Sequence, residues 1–370
     1  MKGLSAPLTL TATLLLLLLA AGCNDRHPVS QPGKMAAAGE GATVTFPATG
    51  AYTGAYIDFG EGEDDVTFEA IEKFTTMVGK HQAIIASSSY WGEQIFPKKN
   101  MELIHRYGAM PLIFWSPWDR PYEEGRPPDR FSLNNILAGK WDGYIDQWAD
   151  EARTFDKPLL VAWGLEMNGQ WFPWSGVHYG GGQPLATADQ PARYAGPELF
   201  KQAYRYVVSR VKNRGATKIL WVFHGNNFSV PGDPWNSLAQ YYPGADVVDI
   251  LALSVYGKLF PSLPWISFEE AMDSGYRELC RLDADKPVIV AEWGVGEFPK
   301  SGDKAVWIEQ AFAAYKTKYP RVKAAVYWHE RWQNKDETYS NLRVNSSPES
   351  LAAYRQAVAD PYWLDSWQQR

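Results

Sequence analysis

Short runs of apolar and β-branched residues alternate along this chain with longer stretches whose apolar positions recur every three or four residues. The first kind predicts strands and the second predicts helices with one buried face. Strands are predicted at Ala55–Asp58, Ala83–Ala86, Met110–Trp115, Pro158–Trp163, Lys218–Phe223, Asp249–Ser254, Pro287–Ala291 and Val322–Tyr327. Helical spacing follows most of them: Phe68, Ile71, Thr75 and Val78; then Trp141, Tyr144, Ile145, Trp148, Ala149 and Ala152; then Phe268, Met272, Gly275 and Leu279; then Ala305, Ile308, Phe312, Tyr315 and Tyr319. Further helices are predicted near Asn100–Tyr107, Pro197–Lys212 and Pro348–Val358, and the pattern is weakest after the fifth strand.

Eight strand–helix units in one domain imply parallel strands joined by crossover helices. No Gly-x-Gly-x-x-Gly follows the first strand, which removes the main reason to prefer an open dinucleotide-binding sheet. The predicted fold is therefore α/β, a (β/α)8 TIM barrel forming a single catalytic domain over residues 49–370. In such barrels functional groups stand where the strands run out at the C-terminal rim.

Two of those strand ends carry a glutamate among tryptophan and glycine. Trp163-Gly164-Leu165-Glu166-Met167-Asn168-Gly169-Gln170-Trp171-Phe172-Pro173-Trp174 follows strand four, and Ala291-Glu292-Trp293-Gly294 ends strand seven. These strands face each other across an eight-stranded barrel, so the two carboxyl groups can converge on one bond. Glycosidic cleavage needs such a pair: one acid to protonate the leaving oxygen and one carboxylate to attack or to activate water. Glu297 is expected to lie exposed in the loop behind Glu292. The acidic run Glu61, Glu63, Asp64 and Asp65 reads as a solvated loop.

The ends and the composition narrow the setting. Lys2, the apolar run Leu14–Leu19 and the small residues before Cys23 form a targeting signal too short to span a bilayer. The order resembles a bacterial lipobox, in which Cys23 would be diacylated. Residues 1–23 are thus expected to be a lipoprotein signal and 24–48, rich in Gly, Ala, Ser and Pro, a flexible linker. The protein is expected to be exported to the bacterial cell envelope, with its membrane contact made by that anchor alone. A net charge of −6 without a basic block argues against nucleic acid as a partner. With Cys23 lipidated, Cys280 has no disulfide partner and reads as a buried inert thiol. No His, Cys and Asp cluster has metal-ligand spacing, so neither metal nor cofactor is expected. The 17 Trp, 20 Tyr and 16 Phe exceed what core packing ordinarily asks for, and indole stacks well on the C–H faces of sugars.

Glu-Met-Asn-Gly-x-Trp-x-Pro-Trp after strand four, Glu-Trp-Gly at strand seven and the closing Asn345-Ser346-Ser347-Pro348-Glu349 together resemble glycoside hydrolase family 26, from about Thr53 to Trp363. The resemblance implies a retaining β-glycanase, with β-1,4-mannan the chief substrate of the family and β-1,3-1,4-glucan and β-1,3-xylan beside it. It implies Glu166 as acid/base, Glu292 as nucleophile and Tyr256 as hydrogen-bond donor to that nucleophile. It also implies Trp171 near the reacting sugar and Trp328 as a stacking platform. Trp115, Trp118 and Asn168 are further candidates to line the cleft. The chain departs from the family in having Leu165 where a histidine normally precedes the acid/base, and His224 or His329 are candidates to fill that space. With Pro173, the segment resembles the glucanase and unassigned branches of the family more than the mannanases. The rival readings are a mixed-linkage glucanase, a hydrolase trimming a self-made exopolysaccharide, and a non-catalytic surface lectin. A monomer acting on a polysaccharide is expected.

Overall fold

The computed structural model describes residues 44–119, 129–185 and 192–369. The predicted signal, including Cys23, lies outside them. Eight parallel strands follow one another around the molecule: β1 (Ala51–Ile57), β2 (Ile84–Tyr90), β3 (Met110–Ser116), β4 (Leu159–Trp163), β5 (Ile219–Asn226), β6 (Ile250–Tyr256), β7 (Val288–Gly294) and β8 (Val322–His329). Each pairs with the next, and β8 pairs with β1 over six residues from Tyr52↔Ala324 to Ile57↔His329, which closes the barrel. The helices between them are α1 (Phe68–Val78), α2 (Lys98–Tyr107), α3 (Asp142–Phe155), α4 (Ala195–Asn213), α5 (Leu238–Tyr241), α6 (Phe268–Leu282), α7 (Lys304–Thr317) and α8 (Pro348–Val358). The chain is thus the (β/α)8 barrel its hydrophobic period predicts. The weak pattern after the fifth strand corresponds to α5, only 4 residues long.

Local chemistry sets the helix limits. Thr67 caps α1 by accepting from the Ala70 N–H, and Gly79 ends it in the left-handed conformation. Ser267 and Glu270 close a reciprocal capping box on α6. The face of α3 that carries Tyr144, Ile145, Trp148, Ala149, Ala152 and Phe155 is buried against the sheet. There Trp148 stacks on Trp115 with ring centroids 4.1 Å apart. Each such large side chain removed from water contributes about 1.5–3 kcal/mol, so this outer layer binds helix to barrel firmly.

That packing corrects one expectation. Trp115 does not line the cleft: it is fully buried on the helix side of β3 and donates its indole N–H to Tyr144 Oη at 3.0 Å. Side chains alternate across a strand, and its neighbour Phe114 takes the inward place, 5.6 Å from the ring of His224 and 6.1 Å from that of Trp328.

The domain also starts earlier than the composition suggests. Val44–Thr45 pairs antiparallel with Gln368–Gln369, Phe46 is buried, and Tyr52 Oη donates to Thr45 O at 2.7 Å. Residues 44–48 are therefore part of the folded body, because two apolar side chains and a short ladder suffice to hold them. Trp363–Leu364 adds alongside Ala51–Tyr52 at the base of β1, so the first and last described segments meet at the face opposite the C-terminal rim of the strands. Cys280 is a free, half-buried thiol packed against the core.

Candidate active site

The chain leaves β4 through a turn that aims Glu166. Gly164 has φ +61, and Glu166 itself has φ 51, a left-handed conformation that costs a non-glycine residue about 1–3 kcal/mol and concentrates at functional sites. The Glu166 N–H donates to His224 O at 2.7 Å, so the turn continues the β4–β5 ladder before breaking away. Trp174 Nε1 donates to Leu165 O at 2.6 Å and stacks on Phe172 at 4.6 Å, while Trp118 packs edge-on against both rings. Trp171 lies over Gly169, where a Cβ would come within 2.5 Å of the indole. With 42% of its surface exposed, Trp171 is the open aromatic of this loop, and it donates its N–H to Glu166 Oε2 at 2.7 Å.

Glu292 stands on β7, and its Oε2 accepts from Tyr256 Oη of β6 at 2.8 Å. Each glutamate is only 7% exposed. Burial raises the pKa of Glu166, opposed by hydrogen bonds from Ser254 and Trp171 and reinforced by the charge of Glu63. Burial also raises Glu292 well above the usual carboxylate range, followed by repulsion from Glu166 and by Glu63, with Tyr256 and Ser254 opposing. Two close carboxyl groups out of water cannot both ionise easily. Burial and mutual repulsion thus both favour the protonated form in this pair.

Several candidates occupy other places. Asn168 is fully buried and ties loops together: its Nδ2 donates to Asn226 O at 2.9 Å and its Oδ1 accepts from Asn226 N at 2.8 Å. It is a loop fastener, not a substrate ligand. His224 is 1% exposed, its Nε2 2.8 Å from Ser254 Oγ, so it is closed off from the open cleft. His329 points outward against Phe74 and accepts from the Val344 N–H. Trp118 is rim packing, all but buried. Trp328 ends β8 inside the mouth, stacked on Tyr56 at 3.9 Å, with its N–H on Glu330 Oε2 at 2.7 Å. Glu297 is half-buried, not exposed: it accepts from Ser346 Oγ at 2.6 Å and from Ser350 Oγ at 3.4 Å. Together with the buried Lys304, whose Nζ donates to Asn341 O, Arg343 O and Ser346 Oγ, it fixes the segment leading into α8.

Two carboxyl groups escaped the sequence analysis. Glu63, expected in a solvated loop, is buried and accepts from Ser88 Oγ at 2.7 Å and Tyr90 Oη at 3.2 Å, both on β2. Its charge reaches Glu166, Glu292 and Glu330. Glu330 follows β8, and burial, then Glu63, pushes its pKa up to about 8. The signal for Glu63 was present at the strand end of β2, where Ser88 and Tyr90 supply inward hydroxyls that need an acceptor. Among the described residues no group of three or more His, Cys, Asp or Glu is placed to hold a metal ion.

A closed eight-stranded barrel carrying paired buried glutamates at the ends of β4 and β7 defines the class: a (β/α)8 glycoside hydrolase. The sequence profile of glycosyl hydrolase family 26 matches residues 134–339. Endoglucanase H of Acetivibrio thermocellus is 29% identical over 294 residues, 78% of this chain and 29% of its own length. A mannan endo-1,4-beta-mannosidase of Bacillus subtilis strain 168 is 28% identical over 248 residues, 66% of this chain and 58% of its own length. The chain thus spans less than two thirds of these relatives. The solved Bacillus subtilis mannanase man26 superposes with a TM-score of 0.58 at 19% identity, over 86% of this chain and 87% of that one, a likeness of fold. The chain belongs to glycosyl hydrolase family 26.

Proposed function

We propose that this protein is a retaining β-glycanase that hydrolyses a β-linked polysaccharide by double displacement. Glu292 attacks the anomeric carbon and becomes esterified to the sugar. Glu166 first gives its proton to the leaving oxygen and then takes one from the incoming water. Esterification removes the charge on Glu292, which lowers the cost of ionising Glu166 and converts it from acid to base. The observation that carries this reading is the electrostatic coupling of the two buried carboxyl groups, each with its own donor, Trp171 N–H on Glu166 and Tyr256 Oη on Glu292.

β-1,4-Mannan is the first substrate to try, by likeness to the Bacillus mannosidase. Mixed-linkage β-glucan is the second. It is favoured by Pro173 and by the greater coverage of the match to an endoglucanase. We further propose export and lipid anchoring through Cys23, tested by mass spectrometry of the mature N-terminus and by replacement with serine.

The deciding experiment incubates the protein with mannan, mixed-linkage glucan and β-1,3-xylan and follows the anomeric proton of the new reducing end. A β-product that forms first, on one polymer, is expected. Glu166→Ala and Glu292→Ala proteins that still bind oligosaccharide without turnover complete the expectation. Binding by wild type with no hydrolysis of any polymer would instead make this a lectin.

A further inference from the structure

Glu166 and Glu292 are not joined across the open mouth alone. The two intervening strands link them at the same level. The Glu166 N–H is held by the carbonyl of His224 on β5 at 2.7 Å. His224 Nε2 meets Ser254 Oγ on β6 at 2.8 Å. Ser254 stands in register with Glu292 on β7, and its hydroxyl lies near enough to both carboxyl groups to favour their charged forms. His224 and Ser254 are both buried, and neither was singled out by spacing for this position. The other groups facing the carboxyl pair are Trp171, Tyr256 and the charged Glu63.

The proton inventory decides what this chain of contacts can do. His224 is neutral, because burial pushes its pKa down to about 3. A neutral imidazole has one N–H and one bare nitrogen. Its Nδ1 is buried without a hydrogen-bond partner. An orphaned N–H is costlier and rarer than an unused lone pair. The proton therefore sits on Nε2, which donates to Ser254 Oγ. Ser254 cannot return that bond, so its single O–H is left for the carboxyl groups, one at a time.

The double displacement moves the negative charge from one carboxyl group to the other. The mechanism requires Glu292 ionised and Glu166 protonated at the moment of attack. In the glycosyl-enzyme Glu292 is an ester and Glu166 is the anion. We propose that Ser254, oriented by His224, is a positioning residue whose hydroxyl follows this charge, donating to Glu292 before the attack and turning to Glu166 after it. Only the O–H rotates, and no proton leaves the serine. One small group thus supports the nucleophile in the first step and the general base in the second. The proposal rests on the double-displacement reading above.

The test separates the two chemical steps in the full-length protein. The polymer hydrolysed in the panel reports glycosylation through kcat/KM. A dinitrophenyl glycoside of the same sugar, whose leaving group needs no acid, reports deglycosylation through kcat and a burst. Ser254→Ala is expected to slow both steps by about ten- to a hundredfold, the worth of a hydrogen bond to a charged group. The acidic limb of both pH profiles should move up, because each carboxylate loses a donor that favours its charge. Ser254→Thr, which keeps the hydroxyl, restores both limbs. His224→Gln, which keeps an N–H at the same reach, stays near wild type, while His224→Leu falls between wild type and Ser254→Ala. A loss confined to one step, or an equal loss in Ser254→Thr with folding intact, overturns the role of Ser254 while leaving the two-step mechanism standing. An inverted product anomer from wild type sinks the mechanism and this role together.

Discussion

Two pairs of buried carboxyl groups share the mouth of this barrel. Glu166 and Glu292 rise from β4 and β7. Glu63 and Glu330 rise beyond the neighbouring strands β1 and β8. Both pairs are withdrawn from water, and in both one acid accepts from an indole N–H, Trp171 for Glu166 and Trp328 for Glu330. The difference lies in what else they touch. Each pair repels itself, but only in the first does one serine, Ser254, favour the charged form of both members. In the second pair Glu63 is pinned by Ser88 and Tyr90. Burial alone therefore does not mark a catalyst. Placement on strands with two others between them, one of those carrying Ser254, is what sets Glu166 and Glu292 apart from acceptors of ordinary hydrogen bonds.

The largest expected effect separates the pairs outright. Glu166→Ala should lower kcat on the polymer by about 10²–10⁴-fold, the range for loss of a general acid, and by far less on a dinitrophenyl glycoside. Glu292→Ala should abolish turnover of both, measured by reducing-end release. Glu63→Gln should lower kcat/KM by about ten- to a hundredfold, and stopped assays across pH should show its acidic limb moved down, because a negative neighbour of both catalytic carboxyl groups has gone.

Glu330→Gln acts on stability. The folded protein holds the Glu330 proton up to about pH 8, while the unfolded chain releases it near the ordinary glutamate value. Between those values the native state binds more protons, so stability falls as pH rises. Removing the ionisation should raise Tm at pH 8 by about 2–4 °C, with no gain at pH 4; a gain at pH 4 would contradict the shift. The smallest effect belongs to Trp171→Phe, which keeps the ring and removes a donor to Glu166. The alkaline limb of kcat/KM should then move up by less than about one pH unit.

The barrel and the Glu166 and Glu292 pair were legible because each leaves a regular trace. Eight alternations of period two and period 3.6 have few other solutions, and strand ends name the rim. What the trace omits is orientation within an element. Trp115 and Phe114 are equally apolar, and only the pleat tells which one enters the barrel. Asn168 is polar and two residues from Glu166, yet spends its hydrogen bonds on neighbouring loops. Glu63 sits in an acidic run that looks solvated, and only the turn at φ 54 folds it back under β2. The hairpin of Arg331–Gln333 with Tyr339–Asn341 is three residues a side, too short for any period to show.

The short ladder between Val44–Thr45 and Gln368–Gln369 has a mechanical consequence. A pull applied upstream of Val44 acts on the floor of the cylinder and leaves the acidic mouth unobstructed. It loads a two-residue pairing before any strand that carries Glu166 or Glu292.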